Sequence, residues 1–433
     1  MSPGGAIALG RRAGASGARI VVMAALAAGC TTDAPAGATP ATVTQSGDTT
    51  IIVPALDGPT GRLLSDLIIG ADESNPNALF GRIADAAFGP GGEIYVVDSQ
   101  SERVARFRPD GVFDGLLTRG GDGPGEVRSP VMLTVGVDGA VAVAGDSEIE
   151  WFSPGGGSLG AIAARDLLPP FRLVTSGRLL VHHGPVAPPD RAIWGVSSPD
   201  IGPRAVRAIE ALVRGEVTPH WIEVLESDGF RADSMPGPVE LDQLACPLIP
   251  DARGGRICIF VAYSPTTWFD WLPDGRRIDI RTDDYRLDIS AATDTPPVRI
   301  RPPRTPVPLE EEIAMIVAGT WNLSGEEALD TLFTPHEHKP AMSRIIPSRD
   351  GRIWVRLHAP SELSVDSGGD ETWLETESRF DIFTPEGDHA GHVTGPTEMW
   401  IRDIRGDTVL ATRFGAYGVP RVERFTIDWS DPN

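Results

Sequence analysis

Basic clusters are missing from this sequence. Its 433 residues include 38 Lys and Arg against 60 Asp and Glu, which gives a formal net charge of -22. A chain with this balance repels the phosphate backbone of nucleic acids and the surface of anionic lipids. We therefore expect no nucleic-acid partner.

Helix-favouring runs are few. Instead, 49 Gly and 39 Pro are spread along the chain, while apolar residues still make up 41% of it. This composition indicates many turns in a folded chain rather than a disordered tract. The length allows one large closed all-β domain or two or three ordinary domains, and the composition favours the first.

Recognisable catalytic motifs are also absent. The sequence contains no Gly-Lys-Ser/Thr phosphate loop, no nucleophile elbow and no His-Glu-x-x-His pair. The glycine-rich run Gly120 to Gly125 leads into Pro130 and a predicted strand, so it lacks the helix N-terminus that a phosphate cradle needs.

Cysteine is rare, with three residues in the whole chain, and the first lies at the end of an export signal. Residues 1–29 contain a basic start, an apolar core from Ile20 to Ala28 and small residues before Cys30. The apolar core is too short to cross a bilayer as a stable helix. This segment resembles a bacterial lipoprotein signal, which implies acylation of Cys30 and attachment to the cell envelope, at the outer membrane or cell surface. Residues 30–47, rich in Thr, Ala, Pro and Gly, are predicted to form a flexible tether.

The other two cysteines, Cys246 and Cys258, flank a turn around Asp251 to Gly255. In an exported protein they are predicted to form a disulfide, with two buried free thiols as the alternative. A metal site there is disfavoured because neither residue has a neighbouring ligand at a usual spacing.

Two turn types recur along residues 48–433 and divide them into repeated units. The turn between the first two strands of a unit recurs six times, at Gly91-Gly92, Asp138-Gly139, Ser176-Gly177, Gly254-Gly255, Asp350-Gly351 and Gly406-Asp407. The turn between the outer two strands contains Pro and Gly and recurs at Pro109 to Gly111, Pro154 to Gly156, Pro273 to Gly275 and Pro385 to Gly387. The sequence therefore predicts six four-stranded units, that is, a six-bladed β-propeller.

The spacing of the turns also predicts insertions. Helical periodicity indicates short helical insertions at about 203–215 and 308–333, and the acidic segment 361–375 is predicted to be a loop. The last unit shows three strands only. We expect the N-terminal run Thr49 to Val53 to supply the fourth strand, because closure of the ring removes exposed strand edges.

The first unit carries a family resemblance. The run Gly92 to Asp98, then Arg103-Val104 with Phe107, then Gly120 to Glu126 is similar to NHL-repeat proteins and related six-bladed propeller lipoproteins of bacteria. The resemblance implies that Asp98 and Arg103 have structural roles between neighbouring strands, and that the Gly-Pro-Gly-Glu loop connects blades. It implies a fold and no particular reaction, because such propellers include binding scaffolds, lyases and hydrolases.

Candidate site residues are those on the predicted innermost strands, which line the channel of a propeller: Asp85, Asp242, Arg344, Arg402 and Asp403. They form a mixed set without a repeated metal ligand. His182-His183 and His336-Glu337-His338 are pairs that could bind a metal, although exposed loop histidines are the simpler interpretation.

Two functional hypotheses follow. The first is a monomeric, exported binding or scaffold protein that holds a peptide, glycan or protein partner on the top face or in the channel. The second is a metal-dependent hydrolase or lyase with its site in the channel. The sequence identifies no cofactor, and we expect none. Whether the channel binds a metal ion is left undecided between the two hypotheses.

Overall fold

The protein is described by a computed structural model covering residues 41–70, 75–163, 167–174, 177–183, 221–225, 231–236, 248–250, 256–258, 267–309, 337–365, 371–415 and 418–430. These residues form β-strands and turns with no α-helix among them, so the all-β prediction is confirmed for this part of the chain. No helix in it is long and apolar enough to cross a membrane. Several predictions concern residues outside these ranges: the signal, Cys30, Asp242, Cys246, the helical insertion at 203–215 and all but the first two residues of the one at 308–333.

The described chain begins with three strands, β1 (Thr42–Ser46), β2 (Thr49–Val53) and β3 (Thr60–Ile69). β1 and β2 form an antiparallel hairpin about Gly47, which has a φ of 60°. The last residues of the predicted tether are thus a strand. Their side chains are exposed, so backbone pairing with β2 is what orders them.

Three four-stranded antiparallel sheets follow, each with its strands in chain order. The first contains β4 (Ile83–Phe88), β5 (Ile94–Asp98), β6 (Arg103–Phe107) and β7 (Phe113–Arg119). The second contains β8 (Met132–Val135), β9 (Val141–Ala144), β10 (Glu148–Phe152) and β11 (Ser158–Ala163). The third contains β12 (Leu167–Leu173), β13 (Leu179–His183), β14 (Trp221–Leu225) and β15 (Arg231–Pro236). Their first two strands are joined at the predicted turns.

The fourth unit differs from its predicted boundaries. β16 (Leu248–Pro250) and β17 (Arg256–Cys258) form a separate two-stranded ladder. The next sheet contains β18 (Thr267–Trp271), β19 (Arg277–Arg281), β20 (Arg286–Ile289) and β21 (Val298–Ile300). The turn Leu272 to Gly275 was predicted to join the outer two strands of a unit. It instead joins β18, the strand at the inner edge of this sheet, to β19. Both turn types contain Gly and several turns of each type contain Asp, so these residues do not reveal whether a turn joins the inner or the outer pair of strands.

The remaining strands form one continuous sheet and one hairpin. They are β22 (Met342–Pro347), β23 (Ile353–Leu357), β24 (Ser361–Val365), β25 (Glu371–Glu375), β26 (Ser378–Phe383), β27 (His389–Gly395), β28 (Trp400–Arg405), β29 (Thr408–Phe414) and β30 (Pro420–Asp428). β24 and β25 pair with each other, so the segment 361–375 contains a hairpin and the loop prediction is wrong there.

An N-terminal strand completes the last sheet, as predicted, but it is β3 and not Thr49–Val53. β3 pairs antiparallel with β30 and parallel with β27. It buries Leu63 and Ile69, each 3% exposed, which explains why this strand occupies the seam. β2 instead adds in parallel to β21, and its contribution to the core is Ile52.

The sheets are arranged in a ring. Each innermost strand contacts the next in the series β4, β8, β12, β18, β22 and β28, and β28 contacts β4. Sheets that meet at their inner edges around a common axis form a β-propeller. The described residues therefore have a β-propeller fold.

The core lies between neighbouring sheets, as β5 illustrates. Ile94 and Val96 belong to one apolar cluster with Leu410 of β29, whereas Tyr95 and Val97 face the opposite side, in a cluster with Leu133 of β8. Successive side chains of a strand point to opposite faces, so a sheet buried on both faces needs a continuous apolar run.

The structural roles implied for Asp98 and Arg103 are confirmed. The buried carboxylate of Asp98 accepts the backbone N–H groups of Gly81 and Arg82 at 3.3 and 3.1 Å. Arg103 Nη2 lies 3.4 Å from Asp98 Oδ2 and donates to the carbonyl of Leu79. These bonds attach the segment before β4 to the middle of its sheet.

Candidate functional site

The innermost strands enclose a cavity of about 610 Å³ on the axis of the ring. Its wall comes from β4, β8, β12, β18, β22 and β28, together with Val131, which directly precedes β8, and Arg349, which follows β22. Val131 and Trp268 lie where β8 and β18 begin, and both keep more than a third of their surface exposed. The cavity therefore opens at the end of the channel where these strands begin.

Charged side chains of both signs line this cavity. Among the described residues they are four arginines and three aspartates: Arg172, Arg344, Arg349, Arg402, Asp85, Asp270 and Asp403. The structure thus brings together four of the five predicted channel residues, and the fifth, Asp242, lies outside the described ranges. Sequence reasoning missed Arg172, Asp270 and Arg349. Asp270 was missed because its strand was not recognised as innermost, although it precedes a buried apolar residue, as Asp85 and Asp403 do.

The aspartates join neighbouring innermost strands. Asp85 accepts the backbone N–H of Ala86 at 2.9 Å through Oδ1 and that of Leu133, on the next innermost strand, at 3.0 Å through Oδ2. Asp403 repeats this arrangement with Ile404 at 2.9 Å and Phe88 at 2.8 Å. These carboxylates hold the ring together from inside.

Two ion pairs separate this cavity from a smaller one of about 60 Å³ further along the channel. Arg172 donates to both carboxylate oxygens of Asp270 at 3.0 and 2.8 Å, and Arg349 Nε donates to Asp403 Oδ2 at 2.8 Å. Arg349 also donates to the carbonyl of Val135 at 3.0 Å. Arg172, Arg349 and Asp403 line both cavities, so the pairs lie between them.

Arg344 and Arg402 form no ion pair with a described residue. Arg402 Nε donates a hydrogen bond to the hydroxyl of Thr412 at 3.0 Å, and the acceptor is an uncharged group. Arg344 Nε is buried and has no acceptor there. Burial and the nearby charge of Arg402 lower the pKa of Arg344 to about 10, so it stays charged at neutral pH.

Asp85 accepts backbone N–H groups but no hydrogen bond from a described arginine. Burial raises its pKa above the ordinary 3.8, while the charge of Arg402 and the N–H groups of Leu133 and Ala86 oppose that rise. Burial dominates because an anion inside the channel loses hydration, which two hydrogen bonds from backbone N–H groups and the nearby charges of Arg402 and Arg172 replace incompletely.

No group of three or more His, Cys, Asp or Glu residues that could hold a metal ion occurs in the described residues. The side chains of His182 and His183 and the whole of His336 lie outside them, so the histidine pairs stay predictions. Each described carboxylate of the channel accepts a hydrogen bond from a backbone N–H or from an arginine.

A second buried polar cluster lies on β26 and β27, beneath the N-terminal segment. Asp381 accepts the hydroxyl of Tyr285 at 2.6 Å and lies 2.8 Å from Nδ1 of His392. Nδ1 of His389 accepts the backbone N–H of Gly58 at 3.1 Å, which places the proton of the neutral ring on Nε2. This cluster attaches the N-terminal segment to the ring.

No protein-family description matches this sequence, and no curated protein is similar to it at a significant level. Solved structures match, among them structures with identities from 9 to 12%. They include a Bacteroides fragilis protein named as exported (TM-score 0.42, 85% of this chain and 99% of that one) and a DUF4221 family member from Bacteroides vulgatus (0.45, 84% and 98%). Virginiamycin B lyase from Staphylococcus aureus matches with a TM-score of 0.36 over 80% of this chain and 97% of its own. The fold assignment rests on the ring of sheets in this structure.

Proposed function

We propose that this protein is an exported lipoprotein whose NHL-like, six-bladed propeller acts as a binding module. Cys30 carries the acyl chains, and the channel cavity holds the ligand. The count of six is supported by the closed series of innermost strands and by the recurring turns in the sequence.

The observation that carries this proposal is the shape and charge of the cavity. It is open at one end, two ion pairs line its inner end, and Arg344 and Arg402 face it without an ion-pair partner among the described residues. Concave sites with a few convergent polar groups are the usual binding sites for small ligands. The carboxylates are held by backbone N–H groups and arginines, which favours binding over the metal-dependent alternative.

Native mass spectrometry of the full-length protein, extracted from membranes in detergent, tests the binding role. We expect a non-covalent adduct on the wild type that survives EDTA. Ser343→Trp, which fills the cavity wall, should remove the adduct. Ser65→Trp, the same change on an exposed strand at the outer rim, should keep it. A wild type without any adduct contradicts the binding role.

Detergent phase partitioning tests the anchor. The wild type should enter the detergent phase and Cys30→Ala the aqueous phase, because acyl chains supply most of the membrane affinity. Equal release of both into the aqueous phase contradicts acylation.

A further inference from the structure

The channel is positively charged inside an acidic protein. The whole chain has a net charge of -22, yet the described charged side chains that line the large cavity, four arginines and three aspartates, sum to +1 when all are ionised. A low-dielectric wall concentrates the field of such charges within a cleft. The described wall of the cavity therefore carries a net charge opposite in sign to that of the whole chain.

Most of the charge in the channel is already neutralised. Arg172 pairs with Asp270, and Arg349 pairs with Asp403. Among the described residues of the wall, Arg344 and Arg402 remain, and Asp85 is the carboxylate that opposes them. Buried charge without a partner is costly, so a ligand that supplies one negative charge would be stabilised here.

We propose that the channel ligand is a small monocarboxylate whose carboxylate group binds between the guanidinium groups of Arg344 and Arg402, an inference that rests on the binding function proposed above. Guanidinium forks match the planar carboxylate and can donate two parallel hydrogen bonds to it. The buried Nε of Arg344, which has no acceptor in the described part of the chain, would gain one. A phosphate monoester carries nearly two charges at neutral pH and would exceed the single positive charge available.

The rest of the wall indicates what the carboxylate is attached to. Leu167, Phe171 and Trp268 contribute apolar surface to the cavity, with Trp268 at its mouth. A volume of about 610 Å³ lies within the range of small-molecule sites. The ligand is therefore a compact molecule with one carboxylate and an uncharged body that packs against these side chains.

Ligand-observed NMR titrations with two matched probe sets test this inference on the full-length protein. The first set is benzoate, benzamide and phenyl phosphate, which share a ring and differ in charge. The second is glucuronate and glucuronamide. We expect at least one carboxylate to bind at least tenfold more tightly than its amide. If the first probe set binds, benzoate should bind more tightly than phenyl phosphate.

Substitutions of the two arginines test whether they contact the carboxylate of the ligand. Arg344→Gln and Arg402→Gln should each weaken carboxylate binding at least tenfold while leaving the amides unchanged. Arg62→Gln, an exposed change on β3, should bind as the wild type does. Melting temperatures verify that each variant is folded, and Arg344→Lys, which keeps the charge but not the fork, should recover part of the affinity.

The inference is overturned if the amides bind as well as the acids, if phenyl phosphate binds more tightly than benzoate, or if folded Arg344→Gln keeps full affinity. It is also overturned if none of the five probes binds. The native adduct in the mass spectrum reports separately on the proposed binding function, so an adduct without carboxylate binding would leave that function intact.

Discussion

Asp403 accepts the backbone N–H of Phe88 at 2.8 Å, although the two residues are 315 positions apart in the chain. Asp403 lies on β28 of the last sheet and Phe88 on β4 of the first. This bond closes the seam of the ring on the channel side, while β3 closes it on the outer side by pairing with β30. A buried carboxylate and an N-terminal strand thus contribute to the seam, together with the apolar cluster that joins Leu410 to Phe88.

Asp403→Asn should destabilise the fold by about 2 kcal/mol, the usual size of a hydrogen bond to a charged group. The substitution removes the charge that Arg349 Nε contacts at 2.8 Å and weakens the bond to Phe88. Urea unfolding followed by tryptophan fluorescence measures the change. Asp48→Asn, in the exposed turn between β1 and β2, is the matched control and should have the same urea midpoint as the wild type. Equal unfolding midpoints for the two variants would show that the seam does not depend on Asp403.

Truncation separates the roles of the N-terminal strands. A protein that begins at Ala41 should melt like the mature wild type, because all the described strands remain. One that begins at Pro54 loses β1 and β2 and should melt a few degrees lower. One that begins at Ala71 also loses β3, exposes the edge of β30 and should aggregate. The assignment of β3 to the seam fails if the Pro54 and Ala71 proteins behave alike in thermal melting and light scattering.

Asp381 should make folding stability depend on pH in the acid range. Burial alone would raise its pKa, but interactions with His389, His392 and Tyr285 outweigh burial and lower the pKa well below the ordinary 3.8. His389 Nε2 lies 3.9 Å away, beyond hydrogen-bond distance, so His392 and Tyr285 are the direct partners.

A carboxylate whose pKa is lower in the folded state stabilises the fold above pH 3.8, and this contribution is lost as the pH falls below that value. Asp381→Asn should therefore be less stable than the wild type at pH 7, and the difference should shrink towards pH 2. Denaturant titrations at pH 7, 5, 3 and 2 measure it. A difference that is constant over this range would contradict the linkage.

The disulfide between Cys246 and Cys258 remains a prediction. In the structure the backbone of Cys258 pairs with that of Leu248, two positions after Cys246 in the chain. A bridge over so short a loop should contribute roughly 2 to 3 kcal/mol, so the exported protein should melt lower after reduction. Non-reducing peptide mapping tests the bond directly, and two free thiols would refute it.

Much of the fold could be predicted from local sequence signals. Runs such as Ile94 to Val97 are apolar at every position. Gly92 and Gly139 lie in the turns between paired strands, with φ values of 92° and 87°. These signals depend on neighbours in the chain, so they are visible without a structure. They correctly placed most of the strands and turns, and four channel residues.

By itself, the sequence determined that the described chain is all-β, that it is built from repeated antiparallel units, and that Asp85, Arg344, Arg402 and Asp403 lie near the axis. Tertiary structure alone decided that β3 closes the seam, that the turn after β18 lies at the inner edge, and that Arg172 and Arg349 neutralise Asp270 and Asp403. These outcomes depend on how the sheets meet around the ring, which brings together groups as far as 360 residues apart in sequence. Turn chemistry and strand periodicity are local, and they carry no information about which distant partner an edge or a charge will find.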